Sequence, residues 1–209
     1  MLSSKNNWLR LAERDGQRCG GPVLLAGLVV GFGVVELAAG LLGQTSRFSL
    51  ELLILLVLQL MGPMLVTVLG MALLLPSWLE RVERLGLKAW RHSVPAAALT
   101  GSLLLLLFLL AAVTGGVLAS PRGDLIGEIR DLLSGVLLVD MLRAWLRAGV
   151  FLAAMCGWSQ WRVARGLRRG TPASVLVSNL LVEGLMVLLA LKLIWVIALD
   201  PLRINSFAQ

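Results

Sequence analysis

Histidine occurs once in this chain and cysteine twice. A single histidine rules out a His-Glu-x-x-His zinc site, and two cysteines cannot build a four-cysteine site or a disulfide framework. Charge is scarce as well: it makes up 15% of the 209 residues, where a soluble domain carries about a quarter. A Gly-rich phosphate loop, a Gly-x-Ser-x-Gly nucleophile elbow and paired Asp/Glu residues of the alcohol-phosphotransferase kind are all missing. The chain is therefore read as a non-enzyme, with no metal and no cofactor expected.

What the chain has is apolar length. Hydrophobic residues make up 58% of it, gathered into runs near 22–42, 50–75, 96–119, 132–158 and 172–199. Each reaches the roughly 20 residues that a helix needs to cross a hydrocarbon core about 30 Å thick. The runs are continuous rather than alternating. Lipid offers the backbone no hydrogen-bond partner, so helices are favoured over a barrel. The expectation is one all-α membrane domain over 1–209 with five transmembrane helices.

The net charge of +7 raises nucleic acid as a partner, but the positions of the charges argue against it. Lys5, Arg10, Arg14 and Arg18 precede the first run. Arg81, Arg84, Lys88 and Arg91 lie between the second and third, and Arg162, Arg165, Arg168 and Arg169 between the fourth and fifth. The opposite segments hold only Arg47, Arg122, Arg130 and Arg203. Twelve against four is a topology signal, which puts the N-terminus in the cytoplasm and the C-terminus outside. Cys19 and Cys156 then share the cytoplasmic face, where a disulfide is not expected. His92 falls in a basic loop.

Local patterns add detail. Ser3 to Arg18 sets Trp8, Leu9, Leu11 and Ala12 among charges, as in a short interfacial helix; a polar tail is the plain alternative. Gly27 and Gly31, like Ala111 and Gly115, have the small-xxx-small spacing that lets helix backbones approach closely. Gly62-Pro63 predicts a kink in the second span, and Pro76 its cytoplasmic end. From Trp78 to Trp90, apolar residues alternate with Glu80, Arg81, Glu83, Arg84 and Lys88. That suits a short amphipathic helix at the cytoplasmic surface, where a motor protein could grip. A connector without a partner is the alternative.

Ionisable residues inside the apolar runs are the sharpest local clue, since each costs several kcal/mol at the bilayer centre unless paired or hydrated. Asp140, Arg143 and Arg147 are spaced i, i+3, i+7 and so share one helical stripe. Glu36, Glu183 and Lys192 lie in other runs. The stripe is expected to face the bundle interior. There it either lines a hydrated path or touches a lipid headgroup, or else fixes helix register as a buried ion-pair network. Arg147 is the leading functional candidate.

Three passages resemble the MlaE/YrbE-type permeases, the membrane subunits of ABC transporters that move phospholipids and related lipids. One runs from the Gly-rich first helix near Gly33, past Gln44, to Gly62-Pro63. Another is Asp140-x6-Arg147-x3-Phe151. The third is Gly157-Trp158 followed by Gly166, Arg169, Thr171, Val175, Ser178 and Gly184. The match is divergent. The family's Arg-Glu-Leu-Gly-Pro stands here as Gln59-Leu60-Met61-Gly62-Pro63, and the aspartate usual in the last helix falls at Met186. The resemblance implies a two-fold pairing with a second permease copy around a lipid cavity. It further implies a cytoplasmic ABC ATPase engaging Glu80, Arg81, Glu83 and Arg84, and an Mce-domain lipid-binding protein on the outer side.

Overall fold

A computed structural model describes residues 7–42, 61–119, 138–169 and 172–199. These form five helices and no strand among the described residues: α1 (Asn7–Leu42), α2 (Gly62–Leu85), α3 (Trp90–Ala119), α4 (Leu138–Arg168) and α5 (Ala173–Leu199). A single 3-10 turn, Gly86–Ala89, joins α2 to α3. α1 packs along α3, α3 along α4, and α4 against α2 and α5. α4 is therefore the central helix.

The helices bury one stripe each and leave an apolar face outside. On α5 the buried positions Leu176, Leu180, Gly184, Leu188 and Lys192 recur every fourth residue, while Val182, Met186, Leu193 and Ile197 are exposed. α1 likewise exposes Leu25, Val29, Phe32 and Leu37. Apolar surface of this extent does not suit water and does suit lipid. α1, α2, α3 and α5 each contain a stretch long and apolar enough to cross a membrane, which makes the chain a multi-pass membrane protein. α4 falls short of that standard. Arg147, Ser159 and Gln160 on it are buried against protein, whereas Arg143, Arg165 and Arg168 are exposed.

The separate N-terminal interfacial helix is not observed. α1 is one helix of 36 residues, about 54 Å long, with Pro22 inside it. Two features offset the hydrogen bond that proline removes. Gly21 has no Cβ to clash with the proline ring. The buried stripe Ala12, Asp15, Cys19, Val23, Gly27, Gly31 also continues through Pro22, and packing holds the two halves in line. Thr100 Oγ1 of α3 donates to the Ala12 carbonyl at 3.4 Å within that contact.

The cytoplasmic coupling helix is absent as a separate element too. α2 does not end at Pro76 but runs on to Leu85, with Trp78, Leu79 and Val82 continuing its buried face. Pro76 itself lies on the exposed side. Gly86 then reverses the chain with φ 60°, a conformation open to a residue without Cβ, and its N–H caps the Val82 carbonyl. The segment expected to lie along the membrane is instead the end of one span, a tight turn and the start of the next. Pro63 sits in the first turn of α2, where its missing N–H costs nothing. Residues 50–60, the part of the expected span before the Gly62-Pro63 kink, lie outside the described residues.

Glycines bring α1, α3 and α4 into backbone contact. A Cβ on Gly27 would stand 2.5 Å from the Phe108 carbonyl oxygen. On Gly31 it would strike the Ala112 carbonyl, and on Gly115 the Leu28 carbonyl. The two small-residue pairs of α1 and α3 are thus each other's partners. On the far side of α3, Gly101 meets the Ala148 carbonyl and Gly149 that of Ala98.

Candidate functional site

Polar groups gather at two levels of the bundle. The first is the α4–α5 interface toward the start of α4. Arg147 and Phe151 stand one turn apart on α4, Lys192 and Trp195 one turn apart on α5. Arg147 is 6% exposed and Lys192 8%. The Arg147 guanidinium lies over the Trp195 ring, 5.4 Å from its centroid, and Phe151 meets the same ring edge-on at 5.7 Å. A ring face attracts a cation through its quadrupole, more strongly once water is excluded. Both cationic side chains make further interactions within the protein.

The expected single stripe of charges is divided. Arg143 is exposed, one turn from the buried Arg147. Asp140 lies in the first turn of α4, and its side chain is outside the described residues. Glu36 is exposed on α1. Glu183 accepts hydrogen bonds from Arg162 Nε, at 2.9 Å, and Nη2, which ties α5 to the opposite end of α4. Helix spacing puts residues on a common face, but burial depends on where the neighbouring helices run.

The second level is near the basic end, between α1, α2 and α4, and its composition was not foreseen from the sequence. Asp15, 3% exposed, receives a hydrogen bond from Arg81 Nη2 at 2.6 Å. Trp78, one turn before Arg81, is fully buried, as are Cys19, Cys156, Ser159 and Gln160. Both cysteines are free thiols. Cys156, Ser159 and Gln160 share one buried face of α4. Trp78 Nε1, Arg81 Nη1, Ser159 Oγ and both amide atoms of Gln160 are buried without a hydrogen-bond partner among the described residues.

Arg81 is thus an internal residue, not part of an exposed gripping surface. The remaining residues of that segment do face outward: Glu80 and Arg84 pair with each other across one turn at 2.6 Å, and Glu83 is exposed. The three- and four-residue spacings Asp15/Cys19, Trp78/Arg81 and Cys156/Ser159/Gln160 were legible signals that each group shares a face. Nothing in the spacing said that Asp15 and Arg81 meet. Among the described residues no three His, Cys, Asp or Glu side chains gather as a metal site would require. Comparison with protein families, with curated proteins and with solved structures finds no match for this chain.

Proposed function

We propose that the chain is the permease subunit of an ABC-type transporter that moves phospholipid or a related lipid between the inner membrane and the cell envelope. The observation that carries this reading is the pair of buried basic side chains between α4 and α5, Arg147 over the Trp195 ring and Lys192 one turn before that tryptophan. Ionised groups at such depth are costly, and their best-attested uses are pathways for polar or charged cargo. A lipid phosphate has the complementary charge, and its acyl chains match the apolar faces of α4 and α5.

In this reading α4 is the fifth span: Arg147 is covered by protein, and the exposed Arg165 and Arg168 lie at its basic end, at the headgroup level. The end rich in arginine faces the cytoplasm, with the N-terminus inside and the C-terminus outside. Trp161 and Trp158, stacked by Arg165 at 4.1 Å and Arg162 at 6.0 Å, mark the headgroup level there. A separate ATPase would meet the exposed Glu80, Glu83 and Arg84. A second copy of the chain and an Mce-domain protein would complete the assembly, and ATP hydrolysis would reside outside this subunit.

The first test is Arg147→Ala. Losing a charge-assisted contact to the headgroup is expected to lower lipid transfer between reconstituted vesicles by about tenfold or more. Co-purification with the ATPase stays unchanged. Transfer at the wild-type rate reduces Arg147 to a structural part. A second reading, a membrane subunit that assembles a complex without transporting, is favoured by one observation: residues 86–89 form a tight turn where a coupling helix was expected. It predicts that a tagged preparation in mild detergent yields no ATPase.

A further inference from the structure

Two tryptophan–arginine pairs follow each other on α4 with the same four-residue spacing, Trp158 with Arg162 and Trp161 with Arg165. In each the guanidinium lies over the indole ring, 6.0 Å from its centroid in the first and 4.1 Å in the second. A stacked guanidinium keeps its in-plane N–H donors free for an anion. In the first pair that anion is Glu183 of α5, which accepts from Arg162 Nε at 2.9 Å. In the second pair no carboxylate among the described residues lies within ion-pairing distance of Arg165, or of Arg168 one turn further on.

Exposure separates the two pairs. Trp158 and Arg162 are half-buried, whereas Trp161 is 39% exposed and Arg165 and Arg168 are exposed. The open pair ends an exposed stripe of the same helix, Leu146, Val150, Ala154 and Trp161, whose spacings of four, four and seven residues keep it on one face. From Val150 to Trp161 the helix rises about 16 Å, close to half of a hydrocarbon core about 30 Å thick. Arg165 follows about 6 Å further, the depth of one headgroup layer. Apolar surface as long as an acyl chain therefore leads into an indole and two open cations. An acidic protein would use the cations and leave the stripe bare. A lipid with a net negative headgroup uses both.

We infer that this face of α4 binds one anionic phospholipid of the cytoplasmic leaflet. Arg165 and Arg168 meet its phosphate, Trp161 lies at the glycerol level, and an acyl chain follows Ala154, Val150 and Leu146. The phosphate takes the place that Glu183 fills for the neighbouring pair. The inference takes from the reading above only that the arginine-rich end lies at the cytoplasmic membrane surface, and it does not depend on transport. A zwitterionic lipid carries the same phosphate but balances it with its own cation, so it binds less tightly.

Native mass spectrometry of the full chain, delipidated in mild detergent and titrated with phosphatidylglycerol or phosphatidylcholine, tests this. One phosphatidylglycerol is expected to bind about tenfold more tightly than phosphatidylcholine. Arg165→Gln combined with Arg168→Gln is expected to weaken it by about tenfold or more. Trp161→Leu, which takes the ring from under Arg165, weakens it about threefold. Arg10→Gln combined with Arg14→Gln removes the same charge from an exposed face of α1 and leaves the affinity as it was. Excess inorganic phosphate at constant ionic strength leaves the lipid bound, because phosphate cannot fill the apolar stripe. Equal affinity for the two lipids, an equal loss in both double variants, or displacement by phosphate overturns the inference. None of these readouts involves an ATPase or lipid transfer, so failure of the transport reading would show separately.

Discussion

Asp15→Ala is expected to destabilise the bundle by about 3–5 kcal/mol, while Asp15→Leu combined with Arg81→Met costs far less or nothing. The asymmetry follows from desolvation. The pair is buried, with side-chain exposures of 5% for Asp15 and 17% for Arg81. Removing the carboxylate leaves a guanidinium in a low-dielectric site with nothing to balance it. Removing both charges and keeping the volume abolishes the desolvation cost on both sides. Denaturation by SDS in mixed micelles, followed by tryptophan fluorescence, reads both variants. A single substitution that costs less than about 1 kcal/mol shows that the pair is solvated like a surface ion pair, and rules out Asp15 as the anchor of α1.

Gly31→Leu is expected to detach α1 from α3, and Gly31→Ala to cost about 1–3 kcal/mol or more. The methyl group of alanine would already meet the Ala112 backbone, which cannot turn aside as a flexible side chain would. Gly33 supplies the control. No atom lies within 4 Å of a Cβ placed there, so Gly33→Ala is expected to be neutral or mildly stabilising through helix propensity, by about 0.5–1 kcal/mol. Crosslinking between cysteines introduced at Val35 and Gly116, where a Cβ on Gly116 comes 3.3 Å from Val35 Cγ2, gives the geometric readout: it forms in the parent and Gly33→Ala, and fails in Gly31→Leu. Equal stability of the alanine variants at positions 31 and 33 would mean that the helices do not touch through these glycines.

Much of the fold was legible because a bilayer simplifies the problem. Apolar runs such as 96–119 and 172–199 have one stable outcome in lipid, and α3 and α5 formed where the runs stood. The prolines were read less well. Pro22 opens the first apolar run, and Pro76 by itself predicts a helix end because proline removes a hydrogen bond. Both lie inside helices because the buried stripes on either side of them continue in phase, so that interrupting the helix would sacrifice more contact than it relieves. The amphipathic pattern from Trp78 to Trp90 was real, but it belongs to the packed end of α2 and to a turn at Gly86.

The charged residues show the same division. Spacing placed Asp140, Arg143 and Arg147 on one side of a helix, yet only the placement of α5 decided that Arg147 is covered while Arg143 is not. Asp15 and Arg81 are 66 residues apart, and no local pattern connects them. Composition and periodicity determined that this protein is helical, that it belongs in a membrane and which end of it is basic, because these depend on how each segment meets its solvent. Which faces meet and which ion pair is internal were decided only by tertiary packing, because each is a property of two or three helices together.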